Sequence, residues 1–541
     1  MRKAFNKGFL IYFLYFILVI YFIGAVLILS TLPQKTIFDP GLCLKMTQNI
    51  DKHIPFNYYS HPSPANIDKD EFEFVTWWSP GQFAVPLFFQ KCLEVKLGVS
   101  LKITIMLCMV ISALGIFKLY YELLLNTGSW YLNGLPTTTL SLIFCAFTIL
   151  QPFFWSNLFY YDGGGVLLLA YSPWFIFWAI KIKQINIYTF LGLLCAAVFG
   201  FFLKTAFTSI FIGSVFYLFL SKSIIPDVPL KSQNFRKLIT YGVYCLTLFL
   251  IYVLITKLAF LNHNRNITNS SLGIRVQPRV LFYPIVAPII ALFSLGHVLV
   301  KSYTWIIASI FILPLYYLIM KSDQLTALYK NLIISYVCTN IVCFFLIYLS
   351  NVDVSYETRH FVILAILIAP AVFIAIGKFK PLKILSVTLF CCLCIISFCF
   401  FAEETFNAYN SKTTIIEKSG LTTDYPSALI NELKTLDSSS DKGKDIFYFT
   451  DISDPSIALA ITNNRVLLGD CFVNFHFINQ QKFKPNLYYG TTSGKLYVVS
   501  ELNLSATEPG FKLNTLERYK EFKKIFQVEN FGIFEGISSK K

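Results

Sequence analysis

The sequence predicts an all-α polytopic transmembrane bundle of about eleven helices with a small C-terminal α/β domain outside the membrane. Three observations carry that prediction. Hydrophobic residues make up 55% of the 541-residue chain and charged residues only 14%, against about 25% charged in soluble domains. Apolar runs of roughly 20 residues, each long enough to cross about 30 Å of hydrocarbon as a helix, recur along the first four hundred positions. After about Glu403 the pattern shifts to mixed polar and apolar.

The first run, Gly8 to Ser30, follows the basic start MRKAFNKG and has no A-x-A-like site after it. It reads as a retained helix with a cytoplasmic N-terminus. Further spans are expected at Leu101–Leu123, Thr137–Phe154, Gly163–Ile182, Ile187–Leu203, Thr205–Ser221, Leu238–Phe260, Tyr303–Met320, Asn331–Leu349, Phe361–Gly377 and Ile384–Phe401. This threading puts KIKQIN, SKSIIPDVPLKSQNFRK, KSDQLTALYK and KFKPLK in the cytoplasm, as the positive-inside bias requires. The formal charge of +15 is therefore a membrane signature, and nucleic acid is excluded as a partner. The stretch Val280–Val300 carries Pro284, Pro288, Gly296 and His297. It is taken as re-entrant or interfacial on the outer face, with a twelve-span threading as the alternative.

The domains are then 1–403, with its first outer loop at 31–100, and 404–541. In the tail DIFYFTD and KLYVVSEL read as strands, Asp454-Pro455 as a helix start, and TLERYKEFKKIFQ as an amphipathic helix. Cys43 and Cys92 share the first outer loop and either pair or remain free. The chain reads as an integral multi-pass protein of a bacterial inner or plasma membrane rather than the endoplasmic reticulum.

The first loop carries Asp68, Asp70, Glu71 and Glu73 just before Trp77 and Trp78. The acids are either the rim of an outward cavity or a solvated face, and the Trp pair is an interfacial anchor ahead of a helix at 82–97. Asp39, in TIFDPG, lies just beyond the first span; Asp162, in FYYDGGG, opens the fourth span on the same side. Two such carboxylates suit a general base and an acceptor-orienting group, or together a divalent cation such as Mg or Mn. An N-cap is the alternative for Asp162.

Basic residues outside run against the charge bias: Lys204 between two helices, Arg265, Arg275 and Arg279 in one loop, and Arg359 with His360 closing SYETRH. They read either as a clamp on a lipid phosphate or as partners of the acidic loop and of Glu357. His53 and His61 lack metal-ligand spacing, and no nucleotide phosphate loop, G-x-S-x-G elbow, H-E-x-x-H or paired CxxC is present.

Taken together, FDPG after the first helix, FYYDG in the second outer loop, TWWSPGQFAVPLF and YETRHF resemble the GT-C class of polytopic glycosyltransferases, which includes protein O-mannosyltransferases and aminoarabinose lipid A transferases. The departures are the lack of an adjacent Asp-Glu pair in the first loop, the lack of an Asp-x-Asp in the second, and His360 where Tyr is usual. The resemblance implies an inverting transfer from a polyprenyl-phosphate sugar to a protein, lipid or glycan acceptor on the extracytoplasmic side. It assigns catalysis to Asp39 and Asp162 and substrate binding to Arg359, His360, Glu357, Lys204, Arg279, Trp77 and Trp78. A transporter or flippase, or a polymerase, of lipid-linked saccharides is the alternative.

Overall fold

The computed structural model describes residues 7–36, 38–63, 65–74, 79–125, 136–223, 235–261, 277–293, 302–349, 357–377, 380–439, 443–450, 455–468, 489–502, 516 and 518–538. Helix α1 (Lys7–Thr31) leads through strand β1 (Lys35–Thr36) into α2 (Phe38–Asp51), the hairpin β2 (Tyr58–Ser63) and β3 (Asn66–Phe74), and α3 (Gly81–Leu93). The membrane bundle continues with α4 (Leu97–Leu124), α5 (Thr137–Ile149), α6 (Pro152–Trp155), β4 (Tyr160–Tyr161), α7 (Gly164–Lys181), α8 (Ile187–Leu203), α9 (Phe207–Ser223) and α10 (Phe235–Thr256). It closes with α11 (Pro278–Leu292), α12 (Ser302–Lys321), α13 (Ala327–Leu349), α14 (Val362–Gly377) and α15 (Lys380–Asn410).

Six of these helices are long and apolar enough to cross a membrane alone, and α5 with the segment after it forms a seventh span bent by 67°. Pro152 accounts for the bend, since proline cannot continue the ladder of the preceding turn. Among the described residues α1, α8, α9, α11 and α12 hold shorter apolar stretches of 10–17 residues. Helix α14 is the apolar centre, buried along almost its whole length, whereas α10 and α15 turn most of their surface outward, as lipid-facing helices do.

The contacts of α11 place its start. Tyr283 in α11 lies edge-on to Tyr348 at the end of α13 (6.0 Å) and to Phe361 at the head of α14 (5.7 Å). The start of α11, the end of α13 and the head of α14 therefore share one end of the bundle. Five residues join α12 to α13, so α12 also starts at that end. Helices α11 and α12 thus begin at the same end, and the 15 residues of α11 span only about 22 Å at 1.5 Å per residue. Lys181, Lys222, Lys321 and Lys330 occupy the opposite end, which is the cytoplasmic one by the positive-inside bias.

The tail forms a mixed five-stranded sheet in the order β10 (Tyr519–Val528), β11 (Phe531–Ser538), β9 (Leu496–Glu501), β7 (Ile446–Phe449), β8 (Arg465–Leu468). Strand β7 runs parallel to β8 and β9, while β11 is antiparallel to β9 and β10. A small hairpin, β5 (Thr414–Ile416) with β6 (Leu421–Thr423), and helix α16 (Ser427–Ser439) precede the sheet. The turn between β5 and β6 seats Gly420, at φ +70°, against the N-terminus of α4, where Gly98 donates its N–H to Ser419 O at 2.8 Å. A Cβ on Gly98 would stand 2.1 Å from Gly420 O, so tail and bundle meet backbone to backbone.

Several expectations are corrected. The segment expected as an amphipathic helix, TLERYKEFKKIFQ, contains the edge strand β10, whose two bulges break the strand alternation. The predicted helix after Asp454 is a short 3-10 turn, Pro455–Ala460. Cys43 is buried, Cys92 is exposed, and no disulfide joins them. The helix expected at 82–97 ends at Leu93, stopped by Glu94 in the left-handed conformation.

Candidate active site at the outer mouth

Strand β1 pairs in parallel with β4, Lys35 opposite Tyr160 and Thr36 opposite Tyr161. Asp39 follows Thr36 by three residues and sits in the first turn of α2; Asp162 follows Tyr161 directly. Chain length alone then keeps the two Cα atoms within about 20 Å of each other on the same face of the bundle.

Asp162 is set by its loop. Gly163 takes φ 54° and opens α7 with no side-chain cap, so the Asp162 carboxylate is not used as the helix cap. It folds over Gly165 instead, where a Cβ would lie 1.8 Å from Oδ2. Oδ1 accepts from Arg359 Nη1 at 3.4 Å, and the Arg359 guanidinium forms an ion pair with Glu357 through Nε and Oε2. A guanidinium held between two carboxylates on two sides is fixed in plane, yet Arg359 keeps 31% of its side chain exposed toward the mouth.

The other cations converge here. The Lys204 stem lies on Gly164, whose Cβ would come within 2.9 Å of Cδ, and the Gln82 amide lies beside it. Lys204 and Arg359 are both near enough to His360 to act on its charge, and Nε2 of His360 is buried with no hydrogen-bond partner among the described residues. Arg279 stands over the Tyr283 ring, 5.8 Å from its centroid, and both Arg279 and Glu357 act on the Tyr283 phenol. Asp162, Glu357, Arg359, His360, Lys204 and Arg279 thus form one cluster where helices α7, α8, α11 and α14 start or end. Nothing is described of the Asp39 side chain; Trp77, Trp78, Arg265 and Arg275 lie outside the described residues.

Sequence reasoning missed the groups that brace this cluster. Tyr161, fully buried, donates its hydroxyl to Gln82 O at 2.6 Å, and Ser79 Oγ accepts the Thr205 N–H at 2.5 Å. At the rim Lys35 pairs with Asp424 and stands 5.8 Å over the Tyr160 ring, while Tyr160 bonds Glu404. The one visible signal was that WWSPGQF ends the loop; the partners are remote in sequence.

The described donors do not fit a divalent cation. Asp162 and Glu357 both bond Arg359, and among the described residues no three His, Cys, Asp or Glu side chains converge.

The acidic patch of the first loop belongs elsewhere. Asp70 accepts from Arg465 Nε at 2.8 Å, Arg465 Nη2 donates to Ile67 O at 2.7 Å, and Asp68 Oδ1 accepts the Ser493 N–H at 2.5 Å. That last bond holds the Asp68 carboxyl below its ordinary range. Helix α2 completes the clasp: the buried Lys45 ammonium donates to Gln48 Oε1 (2.6 Å), Ala458 O (2.9 Å) and Ile461 O (2.9 Å), and Lys52 donates to Asn464 O at 3.1 Å. The acids bind the tail to the loop, and the mouth cluster is separate. His61 is buried in the same hairpin.

No family model and no curated protein matches the chain. Among solved structures, the crystal structure of ArnT from Cupriavidus metallidurans bound to undecaprenyl phosphate is similar to it at a TM-score of 0.46 and 10% identity, over 96% of this chain and 98% of that one.

Proposed function

We propose that the chain is a GT-C-type membrane glycosyltransferase that moves a sugar from a polyprenyl-phosphate donor to an acceptor hydroxyl on the extracytoplasmic side, with inversion at the anomeric carbon. The observation that carries this reading is the guanidinium of Arg359 gripped by Asp162 and Glu357, with Lys204, His360 and Arg279 around it, at the mouth of a hydrocarbon-spanning bundle. Fixed cations where spans end suit a phosphate that remains attached to a membrane lipid.

Asp39 is assigned as general base. The first turn of a helix favours an ionised carboxylate, ready to take the acceptor proton as its oxygen attacks C1. The new C–O bond forms on the face opposite the phosphate; the old bond breaks with its electron pair leaving on the phosphate oxygen. Arg359, with Lys204 and Arg279, stabilises that developing charge, and Asp162 holds Arg359 and orients the acceptor. His360 and the Trp77–Trp78 pair are assigned to substrate binding. No step is routed through Mg or Mn. The acceptor is a protein, lipid or glycan, and no nucleic acid takes part.

The test uses the full chain in lipid nanodiscs with a labelled polyprenyl-phosphate sugar. Release of free polyprenyl phosphate together with labelled acceptor, abolished in Asp39→Asn, supports the reading. Lipid translocation in vesicles without transfer would replace it with the transporter alternative.

A further inference from the structure

Between α2, the β2–β3 hairpin and β8 lies a cavity of about 230 Å³, away from the mouth cluster, lined by Lys45, Asn49, Lys52, Ser60, His61 and Arg465 among others. Lys45, Asn49 and Lys52 follow an i, i+4, i+7 spacing and so share one face of α2. At 1.5 Å per residue they stand roughly 9 to 20 Å along that helix from Asp39.

Three cations face one lining carboxylate, Asp70, with Asp437 close enough to act on both lysines. Asn49 is 5% exposed, and its Nδ2 donates to nothing among the described residues. A buried amide N–H without an acceptor is destabilising, so a ligand oxygen at that position is stabilising. Burial pushes the Lys45 and Lys52 amines down, Lys52 adds to the effect on Lys45, and Asp437 acts in the opposite direction on both. The remaining wall is apolar: Ile54, Pro62, Val466 and the half-exposed ring of Phe72.

From this combination of cations, a hungry amide donor and an aromatic edge, we infer that the cavity is a binding site for one acidic sugar unit, a hexose bearing a carboxylate or phosphate. Phe72 and the aliphatic wall meet the ring, Lys52 and Arg465 meet the anion, and the Asn49 amide donates to a ring or hydroxyl oxygen. The volume lies below the roughly 300–1,000 Å³ of sites for drug-sized molecules, which limits the occupant to a single unit at the end or branch of a longer glycan. The site is independent of the transfer reaction: it binds whether or not Asp39 is a base.

Calorimetric titration of the full chain in nanodiscs tests it, with galacturonic acid, glucose 6-phosphate, galactose and inorganic phosphate as probes. The expected result is saturable binding of the two acidic sugars at least tenfold tighter than galactose or inorganic phosphate. Asn49→Leu and Lys52→Met should each weaken the acidic sugars tenfold or more at an unchanged thermal midpoint. Lys495→Ala, outside the cavity, should leave the affinity unchanged. The proposal is overturned if no probe saturates, if inorganic phosphate binds as tightly as glucose 6-phosphate, or if both cavity variants bind like wild type.

Discussion

Two groups of acids lie on the outer side of this protein, and they differ in what they touch. Asp68 and Asp70 reach across to the tail, one to a backbone N–H and the other to Arg465, 395 positions away in sequence. Asp162 and Glu357 reach inward to Arg359, at the heads of two spans. The first group is richer in charge and more conspicuous in the sequence, yet it joins two parts of the molecule. The second consists of isolated residues at helix starts, and it gathers the cations. Placement relative to helix ends, and not local charge density, separates the acids that meet the bundle's cations from those that join the tail.

The comparison can be broken most decisively at Asp39. Asp39→Asn is expected to lower the transfer rate by about 10²- to 10⁴-fold, the usual contribution of a positioned base, measured as initial release of polyprenyl phosphate with melting unchanged. Arg359→Gln should cost about 10²- to 10³-fold in kcat, the range seen when a charge-stabilising donor is removed. If it instead raised only KM, Arg359 would bind the donor without assisting departure of the lipid phosphate. Gly165→Ala forces the Asp162 carboxylate off its position, since the new methyl would fall 1.8 Å from Oδ2. Transfer should fall at least tenfold, with the same loss when Asp162→Asn is made alone.

The clasp should behave in the opposite way. Asp70→Asn is expected to leave kcat within twofold and to cost no more than about 1 kcal/mol of stability, because Asp70 is more than one-third exposed and solvent screens the pair. A loss of transfer comparable to that of Arg359→Gln would erase the distinction between the two groups. The smallest effect concerns His61, whose burial holds its pKa below the ordinary 6.5. The folded form then binds fewer protons than the unfolded chain between those two values, so stability is lost as pH falls below about 6.5. The slope cannot exceed about 1.4 kcal/mol per pH unit. His61→Gln should flatten it in denaturant titrations at pH 5 to 7.

The spans were legible because a hydrocarbon slab imposes length and apolarity on each helix separately, which a single sequence records. The shortness of α11 was legible too, since Pro284 and Pro288 lie in it. Strand β10 was not. Its bulges at Tyr519/Glu521 and Lys524/Phe526 insert extra residues, so Tyr519 and Phe522 pack on one face of the sheet and Phe526 on the other, and the period-two alternation that marks a strand is lost. The carboxylates and cations of the mouth were individually visible as charges out of place, but that Asp162 meets Arg359 depends on packing across 197 positions. The bracing by Tyr161 and Gln82 left no mark, because a backbone carbonyl as partner has no residue signature.

One short strand has a mechanical consequence. Residues 34–36 are joined on one side to Tyr160 and Tyr161 and on the other to the tail, through the Gln34–Leu421 bridge, the Thr422 N–H on Gln34 O, and Lys35 with Asp424. This segment is a rivet through three layers, and Asp39 and Asp162 hang from it by three residues and one. The soluble tail cannot rock on the bundle without straining that rivet, so a load on the tail is carried to the segments that hold Asp39 and Asp162.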